Sequence, residues 1–313
     1  IVNALQPAIQ AMATRFGLAL TLVDVDWADC GIAWGWPGVA GVILGIVVVN
    51  AIMVVLRITK TMWTDVWSYW HGSALAGFVW ALTGGNVLLG AAAGVFYLAI
   101  GSLLADICAK ENQEFNEMPG ISVPCGPIAM IGVLSKFLAP VLDRIPGIKD
   151  IEASPEAIRK RFGIFGELGV MGAILGIIIG ILAGYNVTGM LTLGMQVATM
   201  VVILPRMVSI ISEGLVPITQ SVVIFMRERF KGRELHVAVD CAVLLGDPCV
   251  MASTILLFPL SVFLAAILPG NKLLPIASLA EIPFLAGGAA PWVKGNVVKI
   301  VIIVLIWTIP ILY

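Results

Sequence analysis

His71 closes the run Asp-Val-Trp-Ser-Tyr-Trp-His (65–71) and is one of two histidines in the chain. Asp26 ends Val-Asp-Val-Asp (23–26) and is followed by Trp27, while Asp240 ends Val-Ala-Val-Asp (237–240). A carboxylate at a break between half-helices can accept hydrogen bonds from two neighbouring hydroxyls, and an imidazole can donate or accept one more. Trp67 or Trp70 offers an amphipathic ring face to a sugar's C–H side. This is chemistry for holding a polyol. Plainer readings stand beside it: Asp26, with Asp24 and Asp29 near, as an interfacial or capping carboxylate; Trp67 and Trp70 as an interfacial belt with His71 packed among them; His236 as a surface residue. No GxxxxGK[ST], HExxH or GxSxG pattern occurs. The five cysteines form no CxxC pair, so they read as small apolar fillers. No cofactor, metal or nucleic-acid partner is expected.

The surroundings of these residues are membrane-grade. Mean hydropathy is +1.04, and only 12% of residues are charged, against about 25% in a soluble domain. Apolar runs at 37–56, 66–83, 87–105, 167–184, 189–207, 250–268 and 296–313 approach the roughly 20 residues a bilayer core requires. Residues 208–226 are apolar but interrupted by Glu213, Pro217 and Gln220. Residues 111–142 begin with Glu111, Asn112, Gln113, Asn116 and Glu117, break at Pro119-Gly120 and Pro124, then turn apolar. Irregular backbone at membrane depth needs protein or a watery cavity around it, so 111–142 reads as a re-entrant hairpin; a surface loop followed by a short helix is the alternative. Residues 143–166 form a polar connector, and Ser154-Pro155-Glu156 is a helix-start signal within it. The chain starts without Met and stops inside an apolar run, which reads as a piece of a longer protein.

The pattern of 1–90 recurs in 211–300. Leu5, Pro7 and Gln10 return as Leu215, Pro217 and Gln220; Gly85-Asn86-Val87 returns as Gly295-Asn296-Val297. Asp26 returns as Asp240, and His71 maps onto Glu281. Asn86 and Asn296 read as helix caps or braces. A duplicated hydrophobic unit marks a secondary-transporter fold with substrate near the midplane. We therefore divide the chain into a first repeat, 1–210, and a second, 211–313, cut short at its end. Arg144, Lys149, Arg159, Lys160, Arg161, Arg227, Arg229, Lys231 and Arg233 make up half of the 18 basic residues. Such clusters mark cytoplasmic loops. With the loop near Arg15 outside, five crossings bring 227–233 inside, so the repeats are inverted. Gly172, Gly176, Gly180 and Gly184 form a small-residue stripe that permits close helix approach, in a dimer seam or within one chain.

Nearly the whole chain resembles the membrane (IIC) component of the galactitol branch of the bacterial phosphotransferase system, in the ascorbate–galactitol superfamily. The resemblance is carried by Leu-Val-Asp-Val-Asp-Trp (22–27), residues 65–71, Pro-Gly-Ile-Ser-Val-Pro-Cys-Gly (119–126), Lys-Arg-Phe-Gly-Ile-Phe-Gly-Glu (160–167), Ile-Leu-Ala-Gly-Tyr-Asn-Val (181–187), Val-Asp-Cys-Ala-Val-Leu-Leu-Gly (239–246) and Leu-Pro-Gly-Asn-Lys-Leu-Leu-Pro (268–275). It implies an all-α polytopic membrane protein of the bacterial inner membrane. The implied fold is an inverted repeat of about five transmembrane helices each plus re-entrant hairpins, with a mobile core and a V-shaped scaffold, as a homodimer. Substrate is expected at Asp26, Trp27, His71, Val123, Pro124, Cys125, Gly126 and Asp240, and by position also at Asp247 and Glu281. Cys125 and Asp247 stand where the galactitol branch carries His. The resemblance further implies an elevator movement, IIA and IIB partners that relay phosphate from phosphoenolpyruvate, and no phosphoryl-carrying residue on this chain. An uncoupled transporter or channel of similar repeat architecture, or a scaffold without substrate, are the competing classes.

Overall fold

The computed structural model describes residues 2–18, 21–22, 31–64, 66–148, 153–229, 234–271, 273–274 and 281–312. Helices dominate, as a chain with no water to satisfy its peptide groups requires. In order they are α1 Val2–Arg15, α2 Gly31–Gly35, α3 Val39–Val55, α4 Val66–Leu82, α5 Val87–Phe115, α6 Gly126–Leu142, α7 Pro155–Phe162, α8 Leu168–Ala183, α9 Val187–Arg229, α10 Pro248–Ile267, α11 Ile282–Ala289 and α12 Val297–Ile311. Short extended pieces lie between them: β1 Thr21–Leu22, β2 Thr61–Met62, β3 Ile121–Ser122, β4 His236–Ala238 and β5 Leu273–Leu274.

The expected spans fall on helices, with two differences. Glu111–Phe115 continue α5 instead of opening a hairpin, so the break before α6 occupies 116–125. An i,i+4 pair, Lys110–Glu114 at 3.8 Å, suits this exposed helix end. Residues 208–226 are no separate segment: α9 runs on through them for 43 residues. At 1.5 Å per residue it is about 65 Å long, twice the ~30 Å bilayer core. Segments Val87–Phe115, Val187–Met207 and Pro248–Ile267 are long and apolar enough to cross a membrane. Their outward faces carry Leu88, Phe96, Met195 and Phe263, a surface suited to lipid rather than water.

Local chemistry sets the boundaries. Ser154 accepts from the Ala157 backbone N–H at 3.1 Å and Pro155 opens α7, as the sequence signal predicts. Asn86 accepts from the Leu89 N–H at 3.0 Å and Asn296 from the Lys299 N–H at 3.1 Å, each capping its helix. Both caps follow two residues with positive φ, Gly84-Gly85 and Lys294-Gly295. The glycine stripe of α8 faces α9 of the same chain: a Cβ at Gly176 would lie 2.7 Å from the Gly194 Cα. The stripe therefore serves packing within one subunit.

The chain forms two compact units. One holds 1–25, 134–210 and 244–313; the other holds 26–133 and 211–243. In the first, β1 pairs parallel with β5, Thr21 opposite Leu273, and Arg15 donates to the Ile181 carbonyl at 2.9 Å, closing the end of α8. Lys299 and Asp143 form an ion pair there. In the second, β4 lies between β2 and β3 in a parallel three-stranded sheet. Its core packs Ile46, Met53, Trp63, Leu98 and Ala238 together.

Candidate functional site

Three parallel strands point their C-terminal ends the same way. Thr61 pairs with His236 and Met62 with Val237; Ile121 pairs with Val237 and Ser122 with Ala238. Just beyond β2 come Trp63 and Thr64, beyond β3 come Val123, Pro124 and Cys125, and beyond β4 come Val239 and Asp240. Each exit then leads into a helical turn: α4, α6, and a 3-10 segment Cys241–Gly246. The hydrogen bonds run past the paired residues, with the Val239 N–H on the Ser122 carbonyl at 2.9 Å and the Thr64 hydroxyl on the Ala238 carbonyl at 2.9 Å.

His71 lies in the first turns of α4, with its Nε2 3.4 Å from the Cys125 Sγ. On one side the Trp70 ring stands edge-on at 4.9 Å; on another the Tyr97 ring lies parallel at 6.4 Å. The Tyr97 hydroxyl accepts from the Gly126 N–H at 2.8 Å, tying α5 to the start of α6. Cys125 and Cys241 each lie three residues past the paired Ser122 and Ala238. Asp240 closes the 3-10 turn, its Oδ1 accepting from the Ala242 N–H at 2.7 Å. Val123, Pro124, Cys125 and Gly126 are all buried. Gly101 of α5 passes beneath them so closely that a Cβ there would sit 2.9 Å from the Pro124 carbonyl oxygen.

His71, Cys125, Gly126 and Asp240 are thus brought together in one unit. Asp247 and Glu281 belong to the other unit. Asp247 caps α10, accepting from the Cys249 N–H at 2.8 Å, and Glu281 stands just before α11. Asp26 and Trp27 lie outside the described residues. His236 is not the surface residue expected: it is 6% exposed, on the central strand.

The opposite, N-terminal ends of the strands carry charge. Lys60 pairs with Glu234 at 2.5 Å. That ammonium holds the Glu234 carboxyl below its ordinary value. Burial pushes the His236 imidazole below its own. Asp106 of α5, absent from the sequence-based candidates, accepts three hydrogen bonds from 59–61.

The set at the strand exits therefore mixes a carboxylate acceptor, an imidazole of either role and a thiol, with aromatic rings beside the imidazole. That suits neutral hydroxyls, each of which both donates and accepts. Among the described residues no cluster of His, Cys, Asp or Glu is arranged to hold a metal ion.

Residues 1–313 match the EIIC-GAT family, described as the PTS system sugar-specific permease component. The PTS system galactitol-specific EIIC component of Escherichia coli K12 is 33% identical over 303 residues, which covers 96% of this chain and 67% of that protein. The protein of the same name from Escherichia coli O157:H7 gives the same values, 33% over 303 residues. Another Escherichia coli K12 protein, named for a permease IIC component without a substrate, is 36% identical over 302 residues, 96% of this chain and 69% of its own length.

Proposed function

This chain belongs to the EIIC-GAT family of sugar-specific permease components of the phosphotransferase system, and from that premise we propose that it carries a galactitol-like polyol across the bacterial cytoplasmic membrane. Components of this kind are membrane proteins that work with IIA and IIB proteins and a sugar. In our reading a IIB protein phosphorylates the sugar at the inner mouth, and a core domain moves past a V-shaped scaffold as an elevator within a homodimer.

What supports the reading is that His71 meets Cys125 at the exit of β3 while Asp240 follows β4, the strand paired with β3. Three helical turns begin there. In our reading those side chains are held before substrate arrives, which lowers the entropy cost of binding. Val123, Pro124 and Gly126 form the wall beside Cys125, with Asp26 and Trp27 proposed to complete the site. Asp247, which caps α10, fits that role better than a ligand role.

The inverted repeat draws support from the element order. An offset of 210–214 carries α1 onto the end of α9, which stop at Arg15 and Arg229. It carries the Asn86 cap onto the Asn296 cap. It also carries β1 to within a residue or two of β4, and β2 to β5; the two parallel pairs are then reciprocal.

The test is transport into vesicles containing this chain, loaded with IIA, IIB and phosphoenolpyruvate, and offered radiolabelled galactitol, a pentitol and ascorbate. Galactitol or the pentitol should accumulate as its phosphate. Equal uptake without phosphoenolpyruvate and IIB would mean an uncoupled transporter instead.

A further inference from the structure

We propose that Asp106 is a positioning residue for this site: it fixes the segment leading into β2, and through it the spacing of the three strand exits. The proposal rests on the polyol-permease reading above. Asp106 Oδ2 accepts from the Thr59 hydroxyl at 2.6 Å and from the Lys60 backbone N–H at 2.9 Å. Its Oδ1 accepts from the Thr61 hydroxyl at 2.7 Å. Three consecutive residues thus converge on one carboxylate, which fixes that backbone in place and in orientation.

The network does not stop at β2. Thr61 Oγ1 lies 3.0 Å from Ser122 Oγ, which ties β2 to β3 across the sheet. Asn50 holds the same stretch from α3, donating to the Thr61 carbonyl at 3.0 Å and accepting from the Trp63 N–H at 2.9 Å. The Lys60 carbonyl receives the His236 N–H at 2.8 Å, so the central strand is anchored to the residue that Asp106 grips. Thr61, Ser122 and Ser102 are 0% exposed.

The need for such a grip follows from strand length. Strands of two or three residues have too few ladder bonds to set their own register. A one-residue slip turns every side chain to the opposite face. Here a slip would take the β2 exit away from Cys125 and Asp240 and would turn His71 with α4. Asp106 is half-buried, and a carboxylate drawn even partly out of water is costly unless hydrogen-bonded. Asp106 receives three donors, and those donors are the backbone and side chains of the segment that must not move.

The test uses the full chain in detergent with three variants: Asp106→Ala, Asp106→Asn, and the double variant Thr59→Val/Thr61→Val. Two readouts are taken on the monodisperse fraction: galactitol affinity by calorimetry, and the rate at which N-ethylmaleimide alkylates Cys125, read by peptide mass spectrometry. Asp106→Ala should weaken galactitol binding by roughly 10-fold or more, because the groups at the strand exits lose their fixed spacing. It should also speed Cys125 alkylation. Asp106→Asn keeps one acceptor oxygen and should fall between it and the wild type. Should Asp106→Ala not be recovered folded, the threonine pair decides, with the same shifts expected. A residue that only adds stability would lower the folded yield and leave both readouts of the folded fraction unchanged; that result overturns the proposal. Failure of the wild type to bind galactitol would count against the substrate reading, while the alkylation rates would still judge Asp106.

Discussion

Asp240 holds a helical turn with one oxygen and belongs, in our reading, to the substrate with the other. Asp240→Asn separates the two roles. The amide oxygen can still accept from the Ala242 N–H, so the turn is kept. The charge is gone, and one acceptor becomes a donor. A hydrogen bond to a charged group contributes about 1.5–3 kcal/mol, so polyol affinity should drop roughly 10- to 100-fold with little change in thermal midpoint. Calorimetry with galactitol checks this, and wild-type affinity in the variant would remove Asp240 from the site. His71 and Asp240 stand out in the sequence as polar residues in apolar runs, whereas Cys125 reads as an apolar filler and enters only through the family resemblance. Asp106 does not stand out, because a charge ends a hydropathy window: the span read as 87–105 stops one residue before it, although α5 continues to Phe115. A charge inside a helix that must cross lipid is the signal that would have found it. His236 was misplaced for the opposite reason. Its neighbours in sequence are basic, so it read as loop, yet it lies on the middle strand.

The elements were legible in proportion to their length. Spans of 15 or more apolar residues announce themselves, and caps at Ser154, Asn86 and Asn296 follow from side-chain chemistry. Strands of two residues show no alternation at all, so the sheet that organises the site was invisible. Its charged end makes a pH prediction. The Glu234 carboxyl is held down by Lys60, from an ordinary 4.5, and the His236 imidazole is held down by burial, from an ordinary 6.5. In both cases the unfolded chain binds more protons than the fold in the window just below the ordinary value, so stability rises with pH there. Asp106 and Glu234 pull the imidazole the other way, and burial outweighs them. The thermal midpoint should therefore fall as pH drops below about 6.5, and fall further below about 4.5. His236→Asn should flatten the first part and Glu234→Gln the second. Profiles parallel to the wild type in both variants would show that this strand junction does not govern acid stability.

At the scale of the molecule, each compact unit takes the opening of one proposed repeat together with residues of the other: 1–25 goes with 244–313, and 211–243 with 26–133, while 134–210 stays with the first of these. Such an exchange is what an intertwined duplication produces, and the chain passes between the units after residue 25, within α6, within α9 and within the 3-10 segment Cys241–Gly246. In our reading, charge bias sets the connector 143–166 on the inner side. There α7 presents Lys160 and Arg159 to solvent, with Phe162, Ile164 and Phe165 exposed beside them. An amphipathic segment of this kind lies at the membrane surface, within reach of a protein that delivers phosphate from the cytoplasm. Arg159 makes only an exposed pair with Glu167 at 3.5 Å, and such a pair contributes about 0–1 kcal/mol, so removing it threatens the fold little. Charge-steered encounter accelerates association roughly 10-fold or more at low ionic strength and fades with salt. Replacing Arg159, Lys160 and Arg161 with Gln should therefore slow phosphorylation of the sugar by the IIB protein at low salt and weaken its salt dependence. Polyol binding should stay as it was, because residues 159–161 belong to the other unit from the one that carries the strand exits. Rate and salt dependence both unchanged would mean that the cluster only orients the chain in the membrane.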